Sequence, residues 1–281
     1  MTVHIVTDST CDLPAEIIAR YGIHVIPLYI NVGDTGYLDG IDISREKFYE
    51  RLPFFPTHPS TAVPSTERFH AAYNTLADEG ASEVLSIHIS TALSGVLDVA
   101  RVAAQETTST QVTVFDSRQL SLGTGFLVET AAKMAAAGCT VAEILPALDD
   151  QIRRTHVFAA LDTLEFLKRS GRMNRYLAGL ASLLQIKPIL TMYDGKPATE
   201  RVRTRDRAMK RVVELLSAAG PLERVAMVHT HALPELLAEL RSLAGHLLPR
   251  GGLLSMDITP VIGAHIGPGA MGFALVQAAN Q

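Results

Sequence analysis

The stretch His265-Ile266-Gly267-Pro268-Gly269-Ala270-Met271-Gly272 sets one histidine beside three glycines and a proline. Histidine exchanges its proton near neutral pH, and glycine removes the side chain that keeps backbone away from a ligand. Together they offer a titratable donor with little bulk around it; a tight turn with an incidental histidine is the plain alternative. Three further segments favour a site. Asp8-Ser9-Thr10, Ser90-Thr91-Ala92-Leu93-Ser94-Gly95 and Asp116-Ser117 each follow a short β-rich run, at residues 3–7, 83–89 and 112–115. In an open α/β sheet the ligand crevice lies beyond the carboxyl ends of the strands, so these turns are expected along one sheet edge. Taken singly, each also suits an N-cap or a turn.

Ser94-Gly95 is the sharpest of them. It opens an expected helix, whose first free amides point toward an anion, with the Ser94 hydroxyl as an extra donor and no side chain at Gly95 to block approach. Pro59-Ser60-Thr61-Ala62-Val63-Pro64-Ser65-Thr66 is a further hydroxyl-rich run before a helix. Leu167-Lys168-Arg169-Ser170-Gly171-Arg172 ends another helix, where cations complement the dipole, and Arg172 can also present a fork to a carboxylate or phosphate. Arg201, Arg203, Arg205 and Arg207 alternate as on a solvated face.

Several motifs fail. Gly267 to Gly272 matches G-x-G-x-x-G, but a strand-like run follows, whereas a dinucleotide fingerprint opens a helix. There is no Walker A sequence and no G-x-S-x-G elbow. His229-Thr230-His231 has no acidic residue or cysteine close in sequence, and Cys11 and Cys139 form no CxxC pair, so no metal is expected.

The 281 residues are 47% hydrophobic and 19% charged, enough for a full core. A net charge of −4, 6% aromatics and no Trp argue against nucleic acid as a partner. The first residues lack a signal-peptide pattern, no run of about 20 apolar residues appears, and the cysteine usage suits a reducing compartment, so a cytoplasmic protein is expected.

Strand and helix patterns alternate through the first half. Strands are expected at 3–7, 24–30, 83–89 and 112–115, with helices from Pro14 and at 45–52, 66–76, 94–105 and 120–137. That order predicts a parallel sheet covered on both faces. After a linking helix at 140–154 the pattern changes. Strands at 156–161, 186–192 and 198–203 surround a Tyr193-Asp194-Gly195-Lys196 turn, a helix is expected at 177–184, and helices at 205–219 and 233–247 alternate with strands at 224–229, 253–258 and 272–278. The prediction is an α/β domain at 1–155 and an α+β domain with a mixed or antiparallel sheet at 156–281.

With these pieces in order, the chain resembles the DegV family of bacterial fatty-acid-binding proteins over nearly its whole length. The matching segments are Thr7-Asp8-Ser9-Thr10-Cys11-Asp12-Leu13-Pro14, residues 61–65, Leu93-Ser94-Gly95, Asp116-Ser117, residues 164–172, Ile186-Lys187-Pro188 and residues 265–272. The family's T-S-Q-P-S signature stands here as Thr61-Ala62-Val63-Pro64-Ser65, with apolar residues replacing Ser and Gln. The resemblance implies two domains enclosing a lipid tunnel and no cofactor. It implies that Thr61, Ser94, Gly95 and His265 hold a fatty-acid carboxylate, that Arg172 and His265 face the phosphate after transfer, and that loops carrying Asp8, Ser9, Asp116, Ser117, Gly267 and Gly269 support them. It also implies a separate ATP-binding kinase subunit as partner, with transient membrane contact possible.

Physical chemistry is consistent with that implication. Each buried methylene contributes roughly 0.8 kcal/mol, so a sixteen-carbon tail supplies on the order of 10 kcal/mol before binding costs. Leu28, Ile30, Phe126, Phe158, Leu161, Leu184 and Ile189 are candidates to line the tail or to form core. Two alternatives stay open: a serine acyl hydrolase using Ser94, His265 and Asp116, and a sugar- or phosphate-binding regulatory domain.

Overall fold

The computed structural model describes residues 2–172, 186–249 and 252–279; the helix expected at 177–184, with Leu184, lies outside these residues. The elements in chain order are β1 (Val3–Asp8), α1 (Ala15–Tyr21), β2 (His24–Ile26), β3 (Tyr29–Val32), β4 (Thr35–Leu38), α2 (Arg45–Arg51), β5 (Ser60–Ala62), α3 (Thr66–Asp78), β6 (Glu83–His88), α4 (Val96–Glu106), β7 (Gln111–Asp116), α5 (Leu122–Ala136) and α6 (Val141–Ile152). There follow β8 (Thr155–Ala160), α7 (Glu165–Arg169), β9 (Lys187–Tyr193), β10 (Lys196–Val202), α8 (Arg205–Ala218), β11 (Leu222–His229), α9 (Pro234–Ala244), β12 (Leu254–Asp257), α10 (Pro260–Ile266) and β13 (Met271–Gln277).

The alternating first half gives a parallel four-stranded sheet in the order β2-β1-β6-β7. Helices α3 and α4 cover one face with Phe69, Tyr73, Val96 and Ala100. On the other face lies α5, apolar on nearly every side from Leu122 to Ala132 and therefore buried all round. Its outer side meets the second sheet, so that Leu127 and Val128 share one core with Leu85, Val157 and Ala274.

That second sheet has six strands in the order β10-β9-β8-β13-β11-β12. Its neighbours are antiparallel except β11 and β12, so the sheet is mixed. Helices α8 and α9 close its outer face over Phe273 and Leu275. The β9–β10 hairpin turns through Asp194 and Gly195 at φ 44° and 74°, the left-handed pair that a two-residue turn of this twist demands.

Two segments depart from the sequence expectation. The run 24–30 is two strands, not one: Pro27 lacks an N–H for the ladder, so the chain leaves the parallel sheet after Ile26. From Tyr29 it joins a separate antiparallel sheet, β4-β3-β5, in which Ile30 pairs with Thr61. The His265 stretch, expected as a loop, begins inside α10. Thr259 caps this helix by accepting from the Val261 N–H, and Pro260 occupies its first turn. Val261 and Ala264 of α10 pack into the core beneath the small sheet, so an element of the second half completes the first.

Candidate functional site

One cavity draws its walls from both halves of the chain and holds about 1170 Å³ of atom-free space, part of it open to solvent. Most of its lining is aliphatic or aromatic: Leu28, Val63 and Leu93 from the first half, Phe158, Leu161, Met192 and Ile262 from the second. Polar groups are few, and among the described lining residues only Arg172 carries a permanent charge. A mostly apolar slot with a small convergent polar set suits a ligand with a long hydrocarbon part and one polar end.

Thr61, Ser94, Gly95, Arg172 and His265 all line this cavity. Strand β5 carries Thr61 and the last turn of α10 carries His265; the Thr61 hydroxyl lies 2.9 Å from His265 Nε2. When the imidazole donates in that pair, the threonine proton is available to an anion. Ser94 and Gly95 precede α4, where Ser94 Oγ accepts from the Val96 N–H at 3.3 Å and Gly95 is the cap residue. Arg172 donates to the Ser170 carbonyl at 3.0 Å.

The other candidates stand outside the lining. Asp8 and Ser117 are fully buried, and Ser9 Oγ accepts from the Leu28 N–H at 3.2 Å. Ser117 Oγ lies 2.9 Å from the Thr124 hydroxyl. Asp116 accepts from Thr91 Oγ1 and from the Arg118 N–H, each at 2.8 Å, so the Ser94–His265–Asp116 triad is not assembled. Gly267 and Gly269 are not among the lining residues either. Gly267 sits at φ 78°, and a Cβ there would collide with the Phe166 ring; one at Gly269 would meet Asp162 Oδ2 at 2.8 Å. These glycines let the chain pass close to α7 and its preceding turn. Of the apolar candidates, Leu28, Phe158 and Leu161 line the cavity, whereas Ile30, Phe126 and Ile189 belong to the cores.

Two features carried no clear sequence signal. Ser121, with φ 50°, lines the cavity beside Thr10 and donates to Asp12 Oδ2 at 2.6 Å. Asp12 in turn receives Arg45 at 3.0 Å and the Thr259 N–H at 2.9 Å, while Thr259 Oγ1 donates to Asp39. Burial pushes the Asp12 carboxyl up to about 6, against the pull of Arg45, Ser121 and Thr259, and neighbouring Asp39 adds to the rise. His229 ends β11 and His231 lies two residues beyond it, and the β12 residue Asp257 comes to 2.9 and 3.9 Å of them, an acid invisible in the local sequence. Among the described residues no cluster of three or more His, Cys, Asp or Glu side chains is placed to hold a metal, and no helix is long and apolar enough to cross a membrane.

The model of the DegV family, described as an uncharacterised protein family, matches residues 2–278. A DegV domain-containing protein of Deinococcus radiodurans is 37% identical over 282 residues, covering 98% of each chain. Among solved structures, a fatty-acid-binding DegV family protein from Thermus thermophilus has a TM-score of 0.86 at 33% identity, over 99% of this chain and 100% of its own. DegV of Bacillus subtilis, a fatty acid binding protein, has a TM-score of 0.86 at 29% identity, over 99% of this chain and 100% of its own. The chain belongs to the DegV family.

Proposed function

We propose that this chain binds a long-chain fatty acid in the cavity between its two domains, 1–155 and 156–281, and presents the carboxylate to a separate ATP-binding kinase subunit for conversion to acyl-phosphate. Thr61, Ser94, Gly95 and His265 hold the carboxylate. Arg172 and His265 face the partner and the arriving phosphate. The chain is a carrier without chemistry of its own, cytoplasmic, loading through transient contact with a membrane.

The observation that carries this reading is the apolar cavity whose sparse polar lining includes Thr61, Ser94 and His265, drawn from three separate elements. Burying a carboxylate without partners costs several kcal/mol, and hydroxyls, helix amides and an imidazole offset that cost. Uncharged donors also leave its oxygens nucleophilic enough to attack a phosphoryl group. The fatty acids named for the Thermus thermophilus and Bacillus subtilis relatives support the same ligand class.

Native mass spectrometry of protein purified gently from lipid-replete cells tests the reading. A bound mass matching a long-chain acid is expected. Recovery of apo protein alone, or of a polar ligand, counts against it. Stoichiometric labelling of Ser94 by a fluorophosphonate would instead restore the hydrolase.

A further inference from the structure

Four donors converge on one buried carboxylate behind the cavity wall. Asp8 Oδ1 accepts from the Thr10 N–H at 3.0 Å and from the Thr10 hydroxyl. Asp8 Oδ2 accepts from His88 Nδ1–H at 2.9 Å and from the Ile89 N–H at 3.2 Å. Behind the imidazole, His88 Nε2 lies 2.7 Å from Ser86 Oγ, which lies 2.9 Å from the Tyr73 hydroxyl. Asp8, Tyr73, Ser86 and His88 are all 0% exposed. With a neutral imidazole the hydrogen bonds run one way, Tyr73 donating to Ser86, Ser86 to His88 and His88 to Asp8; an imidazolium keeps the bond to Asp8 and reverses the other two.

By connectivity this is a Ser-His-Asp chain, yet Ser86 is sealed under Tyr73 and does not line the cavity. What the chain does reach is two turns that do. Thr10 and Ile89 are lining residues, and beyond Ile89 the turn is held as a unit by the Leu93 and Ser94 N–H groups donating to the Ser90 carbonyl at 2.9 and 3.1 Å. Ser94 therefore follows wherever Asp8 anchors Ile89.

Resting on the fatty-acid reading, we propose that Asp8, oriented through His88, Ser86 and Tyr73, is the positioning residue of the head-group cradle, fixing the Thr10 turn against the Ile89–Gly95 turn. Burial alone pushes the Asp8 carboxyl upward, but the hydrogen bonds from His88 and Thr10 outweigh it and hold the group below the ordinary aspartate range. It is thus an anion at neutral pH, an acceptor for all four donors. An amide in its place has one acceptor oxygen and brings two N–H groups against donors already present.

The test compares cis-parinaric acid with its methyl ester, two fluorescent ligands sharing a tail and differing in the head group, on wild type and D8N. Positioning predicts that D8N weakens acid binding by roughly tenfold or more and ester binding by less than about threefold. Equal loss of both ligands shows general damage to the cavity and overturns the proposal, as does an unchanged acid-to-ester preference. If D8N does not fold, S86A is read the same way: it removes only the hydroxyl that orients His88 and is expected to cut the preference by about threefold. An S86A preference equal to wild type then overturns the proposal. Wild type that binds neither ligand sinks the fatty-acid reading itself, a result distinct from either variant's.

Discussion

Thr61 and His265 are 204 positions apart and meet through one 2.9 Å contact, so the cradle exists only when both halves of the chain are in place. T61V keeps the shape of β5 and removes the hydroxyl. It is expected to weaken fatty-acid binding by about tenfold, the cost of losing a hydrogen bond to a charged group, with little change in stability. Titration calorimetry checks this, and unchanged affinity contradicts the role. Asp12 makes a different prediction. Its folded-state value of about 6 lies above that of an unfolded aspartate, because burial outweighs Arg45 and its hydrogen bonds. The folded chain therefore holds a proton that the unfolded chain has released, and stability from this group grows as pH falls through about 6. Relative to D12N, wild type is expected to gain stability in urea unfolding between about pH 7.5 and about pH 5, by on the order of 1 kcal/mol. A pH-independent difference contradicts it.

At the scale of elements, α10 is the piece that joins sheet to cavity, and Gly267 is where it ends. Alanine there must adopt φ near 78° and push against Phe166. G267A is expected to cost about 1–3 kcal/mol by chemical denaturation, through strain and overpacking together. Fluorescence-monitored unfolding at wild-type midpoint would contradict that account. The same helix shows where sequence reading stops. Alternation of apolar strands with helical periods made the parallel sheet legible, and Asp194-Gly195 placed the hairpin, because each is a local signal. No helix was expected at 260–266, because the glycines after His265 pointed to a loop. The run 24–30 read as one strand although Pro27 breaks it, and nothing local says that β3 will pair with Thr61's strand. Pairings of this kind are set by tertiary packing. The hydroxyls of Ser94 and Thr61 stood out by type, whereas Ser121 depends on a left-handed φ of 50° and a partner, Asp12, 109 positions away.

Across the whole molecule, the cavity is a consequence of how the two sheets share α5 and α10. Helix α5 fills the space between them at its own level, and its apolar surface fuses the cores. Alongside, α2 reaches across to the second half: Tyr49 donates to the Ile258 carbonyl at 2.8 Å, Arg45 donates to the Asp257 carbonyl, and Tyr49 stacks on His231 at 5.9 Å. Ile258 and Ile262, held by these ties, join Leu28 and Leu93 in lining a slot that the side chains of the described residues do not fill. The central claim is that an acyl tail fills that slot with its acid at Thr61, Ser94 and His265. A crystal structure of delipidated protein soaked with 2-bromopalmitate tests it directly, because bromine beside the carboxyl marks the head group by anomalous scattering. The account predicts one strong anomalous peak within the cavity, adjacent to those three side chains. A peak elsewhere in the molecule, or a cavity that stays empty at saturating ligand, would contradict it.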